Sequence, residues 1–346
     1  VAVKPSVNML RLLAVLVVLG SISAFAPVKL LFAWLKPLPK DIPSQLTQTL
    51  EYGFDGIIAY IDMKNQPAVT YTAGWHNREL RQPARPDALF KIASIGKLYD
   101  AVAITKLIAA QKLSLDSTLS ELLPQLSSTL TNADIITLRM LVQHRSGLAN
   151  FTDTAEYWQK GYQLNDHQRL ALISGLPANF APDSQYQYSN TNYLLLQRII
   201  EQACQCRQFD FISSTILQPL GLNATFHSIK DIDSARVMSG YYVGIEEDIK
   251  HADYGSMVAT AADVGVFLRA LNDGSLLSED EKQIYSFLYQ YQHSGLIPGY
   301  QSLAQYDRGS DTVIVLFTNT TDFSDDSHWA VFELMLSRIK KIGHNN

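Results

Sequence analysis

Ser94 and Lys97, in Phe90-Lys-Ile-Ala-Ser-Ile-Gly-Lys97, stand three residues apart at the head of an apolar run. On a helix that spacing brings an amine within reach of a hydroxyl one turn away. A serine hydroxyl attacks poorly until a base takes its proton, and a lysine serves as that base only where its surroundings hold it neutral. Ile95, Leu98, Val102, Ile104, Leu107 and Ile108 supply such an apolar setting. Two further clusters offer complementary groups. Tyr188-Ser-Asn190 sets a phenol and an amide on one polar turn, where the phenol can shuttle protons to a leaving group. His293-Ser294-Gly295 adds an imidazole and a glycine that lets a substrate backbone approach the strand edge closely, and the amide of Leu296 can pair with that of Ser94 as an oxyanion hole. The common chemistry is acyl transfer through a covalent serine intermediate. Taken singly, each pattern also has a plain structural reading: a buried helix, a helix-capping turn, a strand edge.

The elements that must carry these groups are legible in outline. Gly56–Asp62 and Ala68–Gly74 are short, β-rich and joined by Lys64-Asn-Gln-Pro67, which predicts a hairpin. Tyr300–Tyr306 and Thr312–Thr318 predict a second, and the continuously apolar Thr312–Thr318 reads as a buried central strand. Between them the pattern is mostly helical, with breaks at Pro124, Pro177, Pro182 and Pro219 to Gly221, and Ala330–Ile342 closes the chain as an amphipathic helix. The expected fold class is α+β: one antiparallel sheet formed from both chain ends, flanked by helices, with an inserted mostly helical lobe and a cleft between sheet and lobe.

Composition narrows the function. The 346 residues are 47% hydrophobic and 18% charged, with a formal net charge of -5 and no run of Lys or Arg interleaved with aromatics, so nucleic acid is not an expected partner. The eight histidines show no metal-ligand spacing, and no metal or cofactor is expected. Cys204 and Cys206 fall in a continuous helical pattern, which would point them apart as unpaired structural thiols. Leu12–Ala26 is uncharged and apolar, preceded by Lys4 and Arg11, with Met9 a natural start for an export or anchoring signal. Fifteen helical residues reach about 22 Å against a hydrocarbon core of about 30 Å, so an uncleaved anchor would recruit Pro27–Leu35 and snorkel Lys29. Residues 1–40 are read as anchor or signal plus linker, and 41–346 as the catalytic domain.

The three clusters, in this order and with these separations, resemble the serine β-lactamase and penicillin-binding-protein superfamily, in particular its class C β-lactamase-like branch. Lys112–Thr118, Ile136–Leu148, Gln218–Leu222 and Gly255–Asp263 are similar to segments of the same family, and the resemblance covers nearly all of residues 44–340. It implies a β-lactamase/transpeptidase-like fold with Ser94 as the acylated nucleophile, Lys97 as its base partner and Tyr188 as a second acid/base. It further implies Asn190, His293, Ser294 and Gly295 as substrate-binding groups, and the backbone of Ser94 and Leu296 as the oxyanion hole. Class C β-lactamases usually carry Lys-Thr-Gly where this chain has His293-Ser294-Gly295. Histidine, with an ordinary pKa near 6.5, is only partly charged at neutral pH, which ranks D,D-carboxypeptidase, D-amino-acid peptidase or esterase action above antibiotic hydrolysis. The alternatives are a class C β-lactamase and a binding protein for cell-wall peptides or penicillin that does not turn over. Asp183 and Ser256 stand where relatives often have glycine, a matter of loop shape. The expected partners are a small-molecule or peptide substrate (D-amino-acid peptide, ester or β-lactam) and a membrane, and the expected location is the bacterial cell envelope, on the periplasmic side, tethered by residues 12–35.

Overall fold

The computed structural model describes residues 28–160 and 163–345, together with Val7, Asn8, Leu10, Arg11 and Ala14. The apolar run 12–26, apart from Ala14, lies outside the described residues. The chain divides into two compact units, one made of residues 1–54 and 322–346, the other of residues 55–321.

The larger unit holds a six-stranded sheet in the order β3-β2-β1-β10-β9-β8. The first hairpin pairs β1 (Gly56–Met63) with β2 (Val69–Asn77), and the short β3 (Gln82–Pro83) lies beyond it. The second pairs β9 (Tyr300–Asp307) with β10 (Thr312–Thr318), and β8 (His293–Ile297) adds the far edge. Antiparallel pairing of β1 with β10 joins the two hairpins, with Tyr60 opposite Val315. Every residue of β10 is buried, as its unbroken β-branched and aromatic run requires of a strand covered on both faces. A mixed helix and antiparallel sheet architecture, with the sheet drawn from the two ends of this unit, is therefore what the chain adopts. Small pairings complete the strands: β4 (Phe90–Lys91) and β5 (Thr225–Phe226) both pair with β7 (Val258–Ala259), and β6 (Tyr241–Tyr242) runs parallel to β11 (Thr320–Thr321).

The smaller unit contains α1 (Val28–Leu35), α2 (Ile42–Leu50) and the long α7 (Asp326–Asn345), named here in chain order with four helices of the larger unit. Those four are α3 (Gly96–Ala109), α4 (Asn190–Cys204), α5 (Ala261–Asp273) and α6 (Glu279–Leu288). Helix α3 is buried from Lys97 through Thr105, as expected of a helix with so little polar surface, and it packs against α4 and α6. Helix α5 lies on β1, β9 and β10, close enough that a Cβ on Gly265 would sit 2.1 Å from the Tyr60 ring.

One expectation is corrected. Cys204 and Cys206 form a disulfide: α4 stops at Cys204, Gln205 turns left-handed at φ 56°, and the chain folds back to a Cα separation of 5.3 Å. Continuous helix through both residues would have kept them apart. Val28–Leu35, the segment an uncleaved anchor would recruit, is helical. Arg338 of α7 donates to the carbonyls of Ala33, Lys36 and Pro37 at its end and to the side chains of Gln45 and Gln48. No helix among the described residues is long and apolar enough to cross a membrane.

Candidate active site

A 3-10 turn, Ala93–Ile95, leads directly into α3 and places Ser94 and Lys97 one turn apart. The Lys97 Nζ donates to Ser94 Oγ at 3.0 Å and to Asn190 Oδ1 at 2.8 Å. The Tyr188 hydroxyl donates to the same Ser94 Oγ at 2.7 Å. Amine, phenol and hydroxyl thus meet at one oxygen, although Tyr188 lies 94 residues further along the chain. The Lys97 Nζ also sits 5.0 Å from the Tyr188 ring centroid and 5.4 Å from that of Tyr193. Ser94, Tyr188 and Asn190 remain partly exposed whereas Lys97 is buried, so the attacking oxygen is open while its partner is desolvated.

Asn190 begins α4, and its side chain is directed to the site instead of capping the helix. Its Nδ2 donates to Thr152 Oγ1 at 3.1 Å, and its backbone amide donates to Asn150 Oδ1 at 3.0 Å. Thr191, next along the helix, donates to the Ala149 carbonyl. Asn150 and Thr152 carry no recognisable motif, and only the fold shows that they hold Asn190. His144 is a second support that the sequence presented merely as part of a familiar segment. Its Nδ1 accepts from the Ser189 amide at 3.2 Å, and its ring lies 4.5 Å from the Tyr188 ring. That acceptor role puts the imidazole proton on Nε2, which is buried without a hydrogen-bond partner among the rings of Tyr186, Tyr188, Tyr193 and Tyr289.

The residue before the nucleophile, Ala93, has φ 49°, in the left-handed region that costs a residue with a Cβ about 1–2 kcal/mol. Ser256 holds it there. Its Oγ accepts from the Ala93 amide at 2.8 Å and donates to the Met257 carbonyl at 2.7 Å. A serine where relatives often carry glycine is therefore a brace for the nucleophile turn. Ser256→Ala leaves the Ala93 amide without its partner, a loss worth about 1–3 kcal/mol. A fall of about tenfold in kcat with KM nearly unchanged is expected, restored by Ser256→Thr, and steady-state ester hydrolysis checks it. Asp183, the other such position, has φ 64° and pairs with Arg145, whose carbonyl accepts from the Asp183 amide at 2.8 Å, so it shapes the loop.

The third cluster lies on β8, which runs alongside the Ala93–Ile95 turn. Gly295 makes the approach possible, since a Cβ there would stand 2.4 Å from the Ile92 carbonyl oxygen and 3.0 Å from the Ala93 Cβ. Ser302, on β9, donates to the Ile92 carbonyl at 3.2 Å and ties the strands to the turn. Ser294 lies beside Gly295 on β8, and Leu296, next along it, is exposed.

His293 lies beside the nucleophile cluster, its ring 6.3 Å from that of Tyr188, yet both its nitrogens are engaged elsewhere. Nδ1 faces the Ser294 carbonyl, which can only accept, so Nδ1 carries the proton and Nε2 accepts from the Tyr289 hydroxyl at 2.9 Å. Burial, reinforced by the charge of Lys97, pulls this imidazole down to about 4. The expectation of a partly charged histidine is thereby corrected: at neutral pH it carries no charge. Burial and then Lys97 draw His144 down further, to about 3. Both histidines are neutral when folded but take a proton near 6.5 when unfolded, so their stabilisation is complete above that pH and is lost as pH falls through 6.5 toward 4 and 3. Asp100, buried under the site between Gln197 and Gln208, is raised to about 6 and works the other way, its contribution fading as pH rises from 3.8 to 6. Two larger shifts outweigh one. The melting temperature is expected to fall steadily from pH 6.5 to pH 4, less steeply in His293→Gln; a flat or rising profile would contradict this.

Comparison with known proteins agrees with the geometry. A family model described as Beta-lactamase matches residues 42–290. Esterase EstB of Burkholderia gladioli is 27% identical over 186 residues, 48% of this chain and 45% of that protein. The chain spans about half the length of the curated relatives it matches. Among solved structures, a D-amino acid amidase from Ochrobactrum anthropi superposes with a TM-score of 0.76 at 23% identity, over 88% of this chain and 97% of that one. A penicillin binding protein from Bacillus halodurans does so with a TM-score of 0.71 at 21% identity, over 85% and 98% of the two chains. At such identities the superpositions speak for the fold.

Proposed function

Starting from the fact that this chain belongs to the beta-lactamase family of serine hydrolases, we propose that it cleaves an ester or amide carbonyl through an acyl-enzyme on Ser94. The observation that carries this reading is the meeting of the Lys97 amine and the Tyr188 phenol on Ser94 Oγ. In the attack Ser94 Oγ adds to the carbonyl carbon as its proton passes to the Lys97 and Tyr188 pair. The backbone amides of Ser94 and Leu296 receive the developing oxyanion. Protonation of the leaving group through Tyr188 expels it, and a water activated by the same pair releases the acyl group. Since the two groups share one network, their protons are exchanged jointly. Asn190 holds the amine and presents its amide to the substrate.

The preference among substrates follows from His293. A neutral imidazole with both nitrogens bonded offers no fixed cation to the carboxylate of a penicillin or a peptide C-terminus. Esters and amides without such a carboxylate are accordingly favoured, D-amino-acid peptides come next, and β-lactams come last. We place the enzyme in the bacterial cell envelope on the strength of the apolar run 12–26.

The test is to incubate the full chain with a short-chain nitrophenyl ester, a D-Ala-D-Ala peptide and a labelled penicillin, following product and protein mass. Rapid ester turnover, slower peptide cleavage and little penicillin hydrolysis are expected, with all activity absent in Ser94→Ala. Full hydrolysis by Ser94→Ala would refute the reading. A stable adduct without product would support a binding protein instead.

A further inference from the structure

Helix α1 presents its large apolar side chains outward. Leu31 is 46% exposed, Phe32 62%, Trp34 64% and Leu35 59%, and Val28 and Leu38 extend the patch at either end. Only Ala33 of this helix is buried, on the side of α7. The helix is fixed in place: Lys29 pairs with Asp325 at 2.8 Å, and Arg338 grips its carbonyl end. Val28–Leu35 is thereby held beside α7 over its whole length. Its composition is that of a membrane surface, with Trp and Phe among aliphatic residues and with Lys29, Lys36 and Lys40 close by.

We infer that Leu31, Phe32, Trp34 and Leu35 form a foot that rests in the interfacial layer of a lipid bilayer. The covalent order supports lipid as the occupant. The uncharged run Leu12–Ala26 ends two residues before Val28, so a bilayer that takes up that run receives α1 at its surface. Lys29 is paired with Asp325 and Lys36 with Glu51, so Lys40 is the lysine that complements an anionic headgroup layer. The inference is independent of the hydrolase reading, because no catalytic group takes part in it.

The experiment uses the full chain and its Trp34→Phe variant bound to vesicles of phosphatidylethanolamine and phosphatidylglycerol, with bromine at shallow or deep positions of the acyl chains. Emission of the wild type minus that of Trp34→Phe reports on Trp34 alone. This component is expected to fall about twofold with shallow bromine and less with deep bromine, as for a ring at the headgroup boundary. Replacing Phe32 and Leu35 together by serine should weaken the quenching while leaving thermal unfolding close to that of the wild type. Failure to bind the vesicles overturns the inference, as does a bound protein whose Trp34 component ignores both labels. In the latter case concentration-dependent sedimentation shows whether a second copy covers the face; its absence leaves the chain's own residues 12–26 as the cover.

Discussion

Lys97→Met is expected to lower kcat for ester hydrolysis by about 10³–10⁴-fold, the range contributed by a well-placed general base. Methionine keeps the length and apolar bulk of the lysine stem but removes the one amine bonded to Ser94 Oγ and Asn190 Oδ1. Asn190 retains its bond to Thr152, so the start of α4 stays in place and the loss is chemical. Stopped-flow hydrolysis, with the protein mass followed in parallel, locates the defect: acylation of Ser94 should slow by about the same factor as turnover. A companion Tyr188→Phe variant removes only the phenol and should cost about 10²–10³-fold, less than the lysine because the amine still reaches the serine. Activity of Lys97→Met within a few fold of the wild type would mean that the amine takes no proton from Ser94.

Gly295→Ala, the smallest possible enlargement, is expected to reduce kcat/KM by about 10²-fold, the cost of losing one oxyanion donor. The new methyl would lie 2.4 Å from the Ile92 carbonyl oxygen and from Ser302 Oγ, and the former is backbone that cannot swing aside. Strand β8 must therefore retreat from the Ala93–Ile95 turn, and on the proposed mechanism the Leu296 amide would leave the oxyanion position with it. Since Ser302 also anchors this contact, a lower melting temperature accompanies the kinetic loss. The separation between substrate classes gives the sharper check. If β8 supplies an amide to the oxyanion, ester and amide hydrolysis decline together; a variant that merely loses affinity raises KM and leaves kcat intact.

The parts of the site that the sequence displays are those set by local geometry. Ser94 and Lys97 share a helix face because three residues make nearly one turn, and the unbroken apolar run of Thr312–Thr318 demands a strand buried on both sides. The supports of the site have no such signature. Asn150 and Thr152 hold Asn190 from a loop some forty residues away, Ser256 braces Ala93 across more than 160 residues, and Tyr289 takes up the free nitrogen of His293. Each is a common polar residue whose role exists only once separate elements have packed. The disulfide between Cys204 and Cys206 eluded the helical pattern for a related reason, since one left-handed residue, Gln205, ends the helix.

By itself the sequence determined which groups are available for acyl transfer, the order in which they come, and an antiparallel sheet contributed by distant segments, because residue type and periodicity act through neighbouring dihedral angles. Tertiary structure alone decided that Tyr188 reaches Ser94, that His293 is neutral and doubly bonded, and that Val28–Leu35 is a tethered surface helix. Those properties depend on burial, on facing charges and on contacts between elements, which no stretch of chain carries within itself.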